Sequence, residues 1–153
     1  MRIAISVNVN EKDAIGYNLI DAYNENEILP FAIRKATKGL TIGDIVYMWL
    51  TKPISNFRYK CEVVGVGANS KDVMDDRKYQ YHPEKRKKLI DDKEGYYLIK
   101  KIKQIDSDKV TLEVLRSLGY TNMKQVQCCC KDKEHSDMFD YLDKLFDIVS
   151  EPK

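Results

Sequence analysis

Residues Thr41–Val66 read TIGDIVYMWLTKPISNFRYKCEVVGV, two runs of different hydrophobic pattern joined by a proline-containing turn. In the first run Ile45, Tyr47 and Trp49 alternate with Val46, Met48 and Leu50, so both faces are apolar and a central strand is predicted. In the second, Phe57, Tyr59, Cys61 and Val63 alternate with Arg58, Lys60 and Glu62, the pattern of a strand with one covered and one wet face. Gly43 and Asp44 suit a tight entry turn. Lys52, Pro53, Ile54, Ser55 and Asn56 make the connection, because its proline is barred from a central strand. The stretch predicts a β-hairpin with Trp49, the sole tryptophan, at the edge of its turn.

Working outward, 153 residues of which 43% are hydrophobic suffice for one ordinary domain and are short for two, so residues 1–153 are expected to form a single domain. With 26 basic against 24 acidic residues, no overall field marks the chain for nucleic acid or membrane, and such binding would have to come from local patches. No apolar run is long enough to cross a bilayer, and Met1-Arg2-Ile3-Ala4 enters a strand without the apolar core of a signal peptide. The expected place is the cytoplasm, with no membrane partner. Cys61 and the run Cys128, Cys129 and Cys130 read as reduced thiols. Adjacent side chains in an extended segment point to opposite faces and structural zinc sites use spaced cysteines, so this run, even with His135 nearby, predicts no metal. No cofactor is expected.

Arg2 to Val9 predicts a first strand, and Asn10 would cap a helix reaching about Asn24 with Ile15, Leu19, Ala22 and Tyr23 inward. Asn24 to Leu40 reads as loop with a short strand around Phe31 to Arg34. A polar excursion from Asn69 to Glu94 follows Val66, with a short helix starting at Pro83. Tyr96 to Ile105 predicts a strand, and Thr111 caps a helix ending at Gly119 with Leu112, Leu115 and Leu118 inward. In the last helix Met138, Tyr141, Leu142, Leu145, Phe146 and Val149 share one face, while Asp137, Asp140, Asp143, Lys144 and Asp147 face away. Together these predict an α+β fold whose curved or barrel-like, mainly antiparallel sheet is surrounded by helices, and argue against a Rossmann-type alternation.

The chemistry of catalysis is sparse. No GxGxxG, Walker loop, HExxH or GxSxG occurs, and the only histidines are His82 and His135. Cys61 with His82 would be a nucleophile and base, but Cys61 sits in the apolar register of its strand, where an inert thiol is much the commoner state. Asp72, Asp75 and Asp76 invite a magnesium-dependent nuclease reading, yet no later Glu-x-Lys supports it, and a solvated loop is expected. Arg77, Lys78, Tyr79, Tyr81, Lys85, Arg86, Lys87 and Lys88 gather positive charge with aromatics between. Such cations neutralise phosphates while tyrosines stack on bases or pack on sugars. The same run reads equally as a solvated helix blunted by nearby aspartates. Trp49 is either a core residue, the commoner state, or a ligand platform at a strand end with Thr51 and Lys52 beside it.

At Gly43–Val63, GDIVYMWLTKPISNFRYKCEV, the chain resembles the EVE domains of the PUA-like superfamily, especially those associated with modification-dependent restriction enzymes. Weaker likeness lies at Asn8 to Asp13, at LRSLGYTNMKQ (Leu115 to Gln125) and at the Tyr141-Leu142 helix. The resemblance implies a small barrel-like sheet and a non-catalytic reader that receives a flipped, modified base, often a modified cytosine such as 5-methylcytosine, between aromatic walls. Inspection of all edges of a base requires it to leave the stack, and aromatic walls replace the stacking it loses. On this likeness Trp49 would be a wall, Thr51 and Asn8 would read base edges, and Arg34 and Lys52 would hold phosphates. Phe31 stands where the family often has tryptophan. The implied partners are modified DNA first and RNA second, with a separate nuclease doing any cleavage. The alternatives are an RNA-binding PUA-like domain, a small metal-dependent enzyme built on Asp72, Asp75 and Asp76, and a protein-interaction adaptor.

Overall fold

Among residues 1–89, 93–117 and 130–149, which the computed structural model describes, six strands and four α-helices occur. Their order is β1 (Arg2–Val7), α1 (Leu19–Glu25), β2 (Ile28–Ala32), β3 (Ile45–Leu50), β4 (Asn56–Ala68), α2 (Pro83–Leu89), β5 (Tyr96–Gln104), α3 (Leu112–Ser117), β6 (Cys130–Lys131) and α4 (Asp132–Ile148). The strands form one open sheet ordered β2-β5-β4-β3-β1-β6, antiparallel except where β1 and β3 run parallel. The fold is therefore α+β with a mostly antiparallel sheet. Pro30 lies in β2, at the sheet edge, where a missing backbone donor costs no ladder bond.

The hairpin forms as its pattern dictates, with one correction. Met48 faces Tyr59 and Trp49 faces Phe57, so Arg58 is an extra residue in the ladder. A bulge of this kind shifts every side chain beyond it to the other face. Phe57 consequently joins Tyr47 and Trp49 on one side of the sheet, while Tyr59, Cys61 and Val63 join Val46, Met48 and Leu50 on the other. Uniform alternation through β4 was the expectation, and the bulge breaks it. Against β5, β4 carries further register shifts between Lys60 and Cys61, Val63 and Gly65, and Val66 and Ala68. Each bends the strand locally.

Two apolar layers cover the sheet. One is built from Ile3, Ile5, Val7, Val46, Met48, Leu50, Tyr59 and Cys61 with Leu19, Ala22 and Tyr23 of α1. The other sets Ala4, Tyr47, Trp49 and Phe57 against Leu115 of α3 and Met138, Phe139, Leu142, Leu145 and Phe146 of α4. Each fully buried leucine or phenylalanine contributes roughly 1.5–3 kcal/mol, so the α4 stripe accounts for that helix's position.

Three further sequence expectations change. The helix predicted from Asn10 does not form. Asn10 instead accepts from the Lys12 amide at 3.0 Å, a local bond that competes with helix. A Cβ at Gly16 would lie 2.1 Å from the Asn10 carbonyl oxygen, so the loop folds over a position only glycine can fill. The helix starts after Asn18, whose Oδ1 accepts from the Asp21 amide at 3.2 Å. The strand expected around Phe31 to Arg34 runs instead from Ile28 to Ala32, in register with β5. At the third site Asp143 does not face away from the sheet. The Tyr47 hydroxyl donates to it, Arg2 reaches it at 2.7 Å and Asp140 at 2.8 Å, and Lys60 lies 3.5 Å away. Thr111 caps α3 as read, accepting from the Val114 amide at 3.4 Å. Leu118, Gly119, Cys128 and Cys129 lie outside the described residues.

Burial opposes the charge on Asp143, but Tyr47, Arg2 and Lys60 outweigh it and hold the carboxyl below its ordinary range. A carboxyl lowered by folding adds stability that is complete above the unfolded range and lost as pH falls through the folded value. Tyr47→Phe should therefore lower stability in urea unfolding at neutral pH by about 1 kcal/mol, a value discounted for the partial exposure of Asp143. Asp143→Asn should also shallow the loss of stability below pH about 4.

Candidate functional site

A cleft of about 520 Å³ opens on the α1 side of the sheet. Volumes of roughly 300–1,000 Å³ suit small-molecule and nucleotide-sized ligands. Its walls come from the end of β1 through Asn8, from Tyr17, from Phe31 in β2, from Arg34 and Thr37, and from Tyr96 and Tyr97 at the start of β5. The excursion after β4 closes it with Asp76, Arg77, Gln80, Glu84, Arg86 and Lys87. Backbone bonds sew this excursion to the β1–α1 loop: Asn18 donates to the Tyr79 carbonyl at 2.7 Å and Tyr81 to that of Gly16 at 3.1 Å, around a Tyr17–Gln80 bridge.

A polar cluster forms one part of the wall. Asp76 accepts from the Tyr17 hydroxyl at 3.0 Å and from Gln80 Nε2 at 3.0 Å. Burial raises its carboxyl above the usual range against the pull of Tyr17, Arg86 and Gln80. Burial, followed by Asp76, raises the Tyr17 hydroxyl. The Arg86 guanidinium lies 5.2 Å over the Tyr17 ring and donates to the Ile15 carbonyl. Burial lowers its affinity for the proton, Asp76 restores some of it, and Arg34 opposes. Donors, acceptors, aromatic surface and cations thus converge on one recess.

Of the residues singled out from sequence, the structure brings Asn8, Phe31, Arg34, Arg77, Arg86 and Lys87 to the cleft. Trp49 is not there. Strand alternation turns it to the α4 layer, where it is 7% exposed and meets Phe57 edge-on at 5.1 Å, so it is no wall of this cleft. Thr51 ties the end of β3 to the neighbouring loop, its amide donating to Val7 and its hydroxyl accepting from Val9 at 3.2 Å. Neither it nor exposed Lys52 lines the recess. Asn8 uses one donor and one acceptor position of its amide on its own loop, donating to Asp13 and accepting from Asn10, each at 2.9 Å. Tyr79 is buried in the α1 layer with Lys78 above its ring at 4.9 Å. Tyr81 and Lys85 are exposed outside the cleft, and Lys88 belongs to α2.

The acidic knot separates. Asp75 is held to about pKa 2 by Arg77, whereas Asp76 turns into the cleft. Among the described residues no group of three or more His, Cys, Asp or Glu side chains is placed to hold a metal ion. Cys61 is fully buried and its thiol is pushed up to about 12, mainly by desolvation. His82 contacts the Glu11 carbonyl at 2.7 Å. Sequence reasoning missed Tyr17, Gln80 and Tyr96 as site residues and read Asp76 only as part of an acidic knot on a solvated loop. Tyr17 and Asp76 are 59 positions apart, so no local spacing links them. The one available signal was the mixture of aspartate and glutamine with the basic aromatic run. Among the described residues no helix is long and apolar enough to cross a membrane.

No family model and no curated protein matches the chain. A solved structure, the NMR structure of Rpa0253 from Rhodopseudomonas palustris, is similar at a TM-score of 0.47 and 10% identity, over 79% of this chain and 73% of that one. A likeness at that level carries no argument about function.

Labelling followed by peptide mapping should find Cys61 unreactive toward thiol reagents at pH 8 in the folded protein and reactive in denaturant. Trp49→Ala should cost about 3–5 kcal/mol of stability. Trp49→Phe should leave any ligand affinity of the cleft within about twofold in direct titration, because this residue lines the other layer.

Proposed function

We propose that this protein is a nucleic-acid-binding module of the EVE, PUA-like kind, and that the cleft receives a flipped, modified base, most often a modified cytosine in DNA. The observation that carries the reading is the joint presence in one recess of Phe31 and Tyr96, a half-buried polar set, and the cations Arg34, Arg77, Arg86 and Lys87. Unstacking a base costs a few kcal/mol. Stacking on an aromatic side chain returns about 1–3 kcal/mol, and hydrogen bonds in a sheltered recess add to it. The cations would neutralise the flanking phosphates. Phe31 and Tyr96 replace Trp49 in the part of aromatic wall. The Gly43–Val63 likeness supports the family, and its strands supply the frame rather than the ligand contacts. The reading assigns no chemistry to the protein itself; cleavage of a marked strand would belong to a separate nuclease.

The test is fluorescence anisotropy of labelled duplexes that differ only in cytosine, 5-methylcytosine or 5-hydroxymethylcytosine, with single-stranded RNA as a further arm. One modified duplex should bind more tightly than its plain counterpart, and Phe31→Ala should narrow the difference by about fivefold or more. Lys87→Ala should weaken all duplexes alike and reduce the slope of log affinity against log salt by about one. Tighter binding of RNA than of every duplex would transfer the cleft to RNA recognition. Equal binding of all duplexes would sink the base-reading proposal.

A further inference from the structure

We propose that Gln80, with its side-chain amide locked by Asp76, makes the cleft select bases bearing an exocyclic amino group over those with a carbonyl at the same position. This rests on the base-reading function proposed above and names the feature of the base being read. An ionised carboxylate only accepts hydrogen bonds. Asp76 accepts from Tyr17 on Oδ2 and from Gln80 Nε2 on Oδ1, both at 3.0 Å, so the amide nitrogen of Gln80 faces the carboxylate and Oε1 faces the other way. Oε1 has no partner among the described residues, and Gln80 lines the cleft half-buried. The wall therefore offers an acceptor that cannot become a donor without breaking the bond to Asp76.

The backbone at this point is equally fixed. The Gln80 amide donates to the Arg77 carbonyl at 3.0 Å, and the bridge to Tyr17 holds the residue against the β1–α1 loop. Arg86, alongside, supplies donors, with its one side-chain hydrogen bond among the described residues going to the Ile15 carbonyl. Cytosine and its 5-substituted forms present an amino donor at position 4 next to acceptors at N3 and O2. That pattern complements an acceptor from Gln80 and donors from Arg86. Thymine, which shares the 5-methyl group of 5-methylcytosine, puts a carbonyl oxygen at position 4, where it meets Oε1 acceptor to acceptor. In this assignment Gln80 touches the base, and Asp76 is a positioning residue that acts through it.

The experiment is NMR chemical-shift titration of the full chain with the 5′-monophosphates of 5-methyl-2′-deoxycytidine and thymidine. Wild type should bind the amino-bearing nucleotide at least about tenfold more tightly, the discrimination expected of one well-placed polar contact. Asp76→Asn accepts at its amide oxygen and donates at its nitrogen, and either can face Gln80, which frees Gln80 to turn over. The preference should then fall to about twofold or less, chiefly because thymidine monophosphate binds more tightly than it does to wild type. Gln80→Leu, at a half-buried position, should also abolish the preference and serves if Asp76→Asn proves poorly folded by thermal melting. A preference that survives both variants, or equal binding of the two nucleotides by wild type, overturns the role of Gln80 while selective binding of modified duplexes keeps the base-reading function. Absence of binding to both nucleotides together with indifference to duplex modification overturns both.

Discussion

The structure depends on β3 being buried on both faces. A strand whose six residues from Ile45 to Leu50 carry apolar side chains on either side must have a partner on each edge and a cover on each face. β1 and β4 satisfy the edges, one parallel and one antiparallel. Supplying two covers dictates the rest. α3 and α4 close one face with a continuous apolar stripe, and the short α1 with its flanking loops closes the other. The cleft lies within that second cover, because loops and a seven-residue helix seal a sheet less completely than the longer helical segment after the kink at His135 does.

Each cover is secured by a carboxylate, to different effect. Asp143 fastens α4 to Tyr47, Arg2 and Lys60 and stays ionised readily, so it acts as a hinge pin between helix and sheet. Asp76 fastens the long excursion to Tyr17 in a more buried setting that opposes its charge. Burying a carboxylate costs several kcal/mol unless hydrogen bonds compensate, and here the hydroxyl and the amide do so. A fold in need of cover alone would be served more cheaply by an apolar contact at this point. The polar cluster is better understood through what it presents to the cleft.

The excursion between β4 and β5 reads in the sequence as a polar interruption, either functional or merely tolerated. In the structure it supplies nearly a third of the residues that line the recess, Asp76, Arg77, Gln80, Arg86 and Lys87 among them. Long connections are places where binding residues gather, because the surrounding sheet holds them without depending on them. Its basic run divides accordingly. Arg77, Arg86 and Lys87 face the cleft, Tyr79 is a core residue, and Lys78 pairs with Glu25 at 3.6 Å. Charge alone weighs solvated helix and nucleic-acid surface evenly, and the structure divides the run between side chains that line the cleft and side chains that do not.

The hairpin, the α+β class, the strand at Tyr96, the cap at Thr111, the helix start at Pro83 and the inward stripe of the last helix were legible from the sequence. They rest on periodicity and capping, interactions spanning a few residues that linear order preserves. The loop at Asn10 was not legible, since its decisive contact is a glycine beneath a carbonyl six positions away. Nor was the face of Trp49 relative to a cleft, because alternation places a side chain on one side of a strand without saying which side will be open. The bulge at Arg58 likewise depends on the partner strand. The site was decided by tertiary structure alone: Tyr17, Phe31, Asp76 and Tyr96 meet only when β2 pairs with β5 and the excursion bridges back to the β1–α1 loop, and no short spacing encodes those long-range contacts.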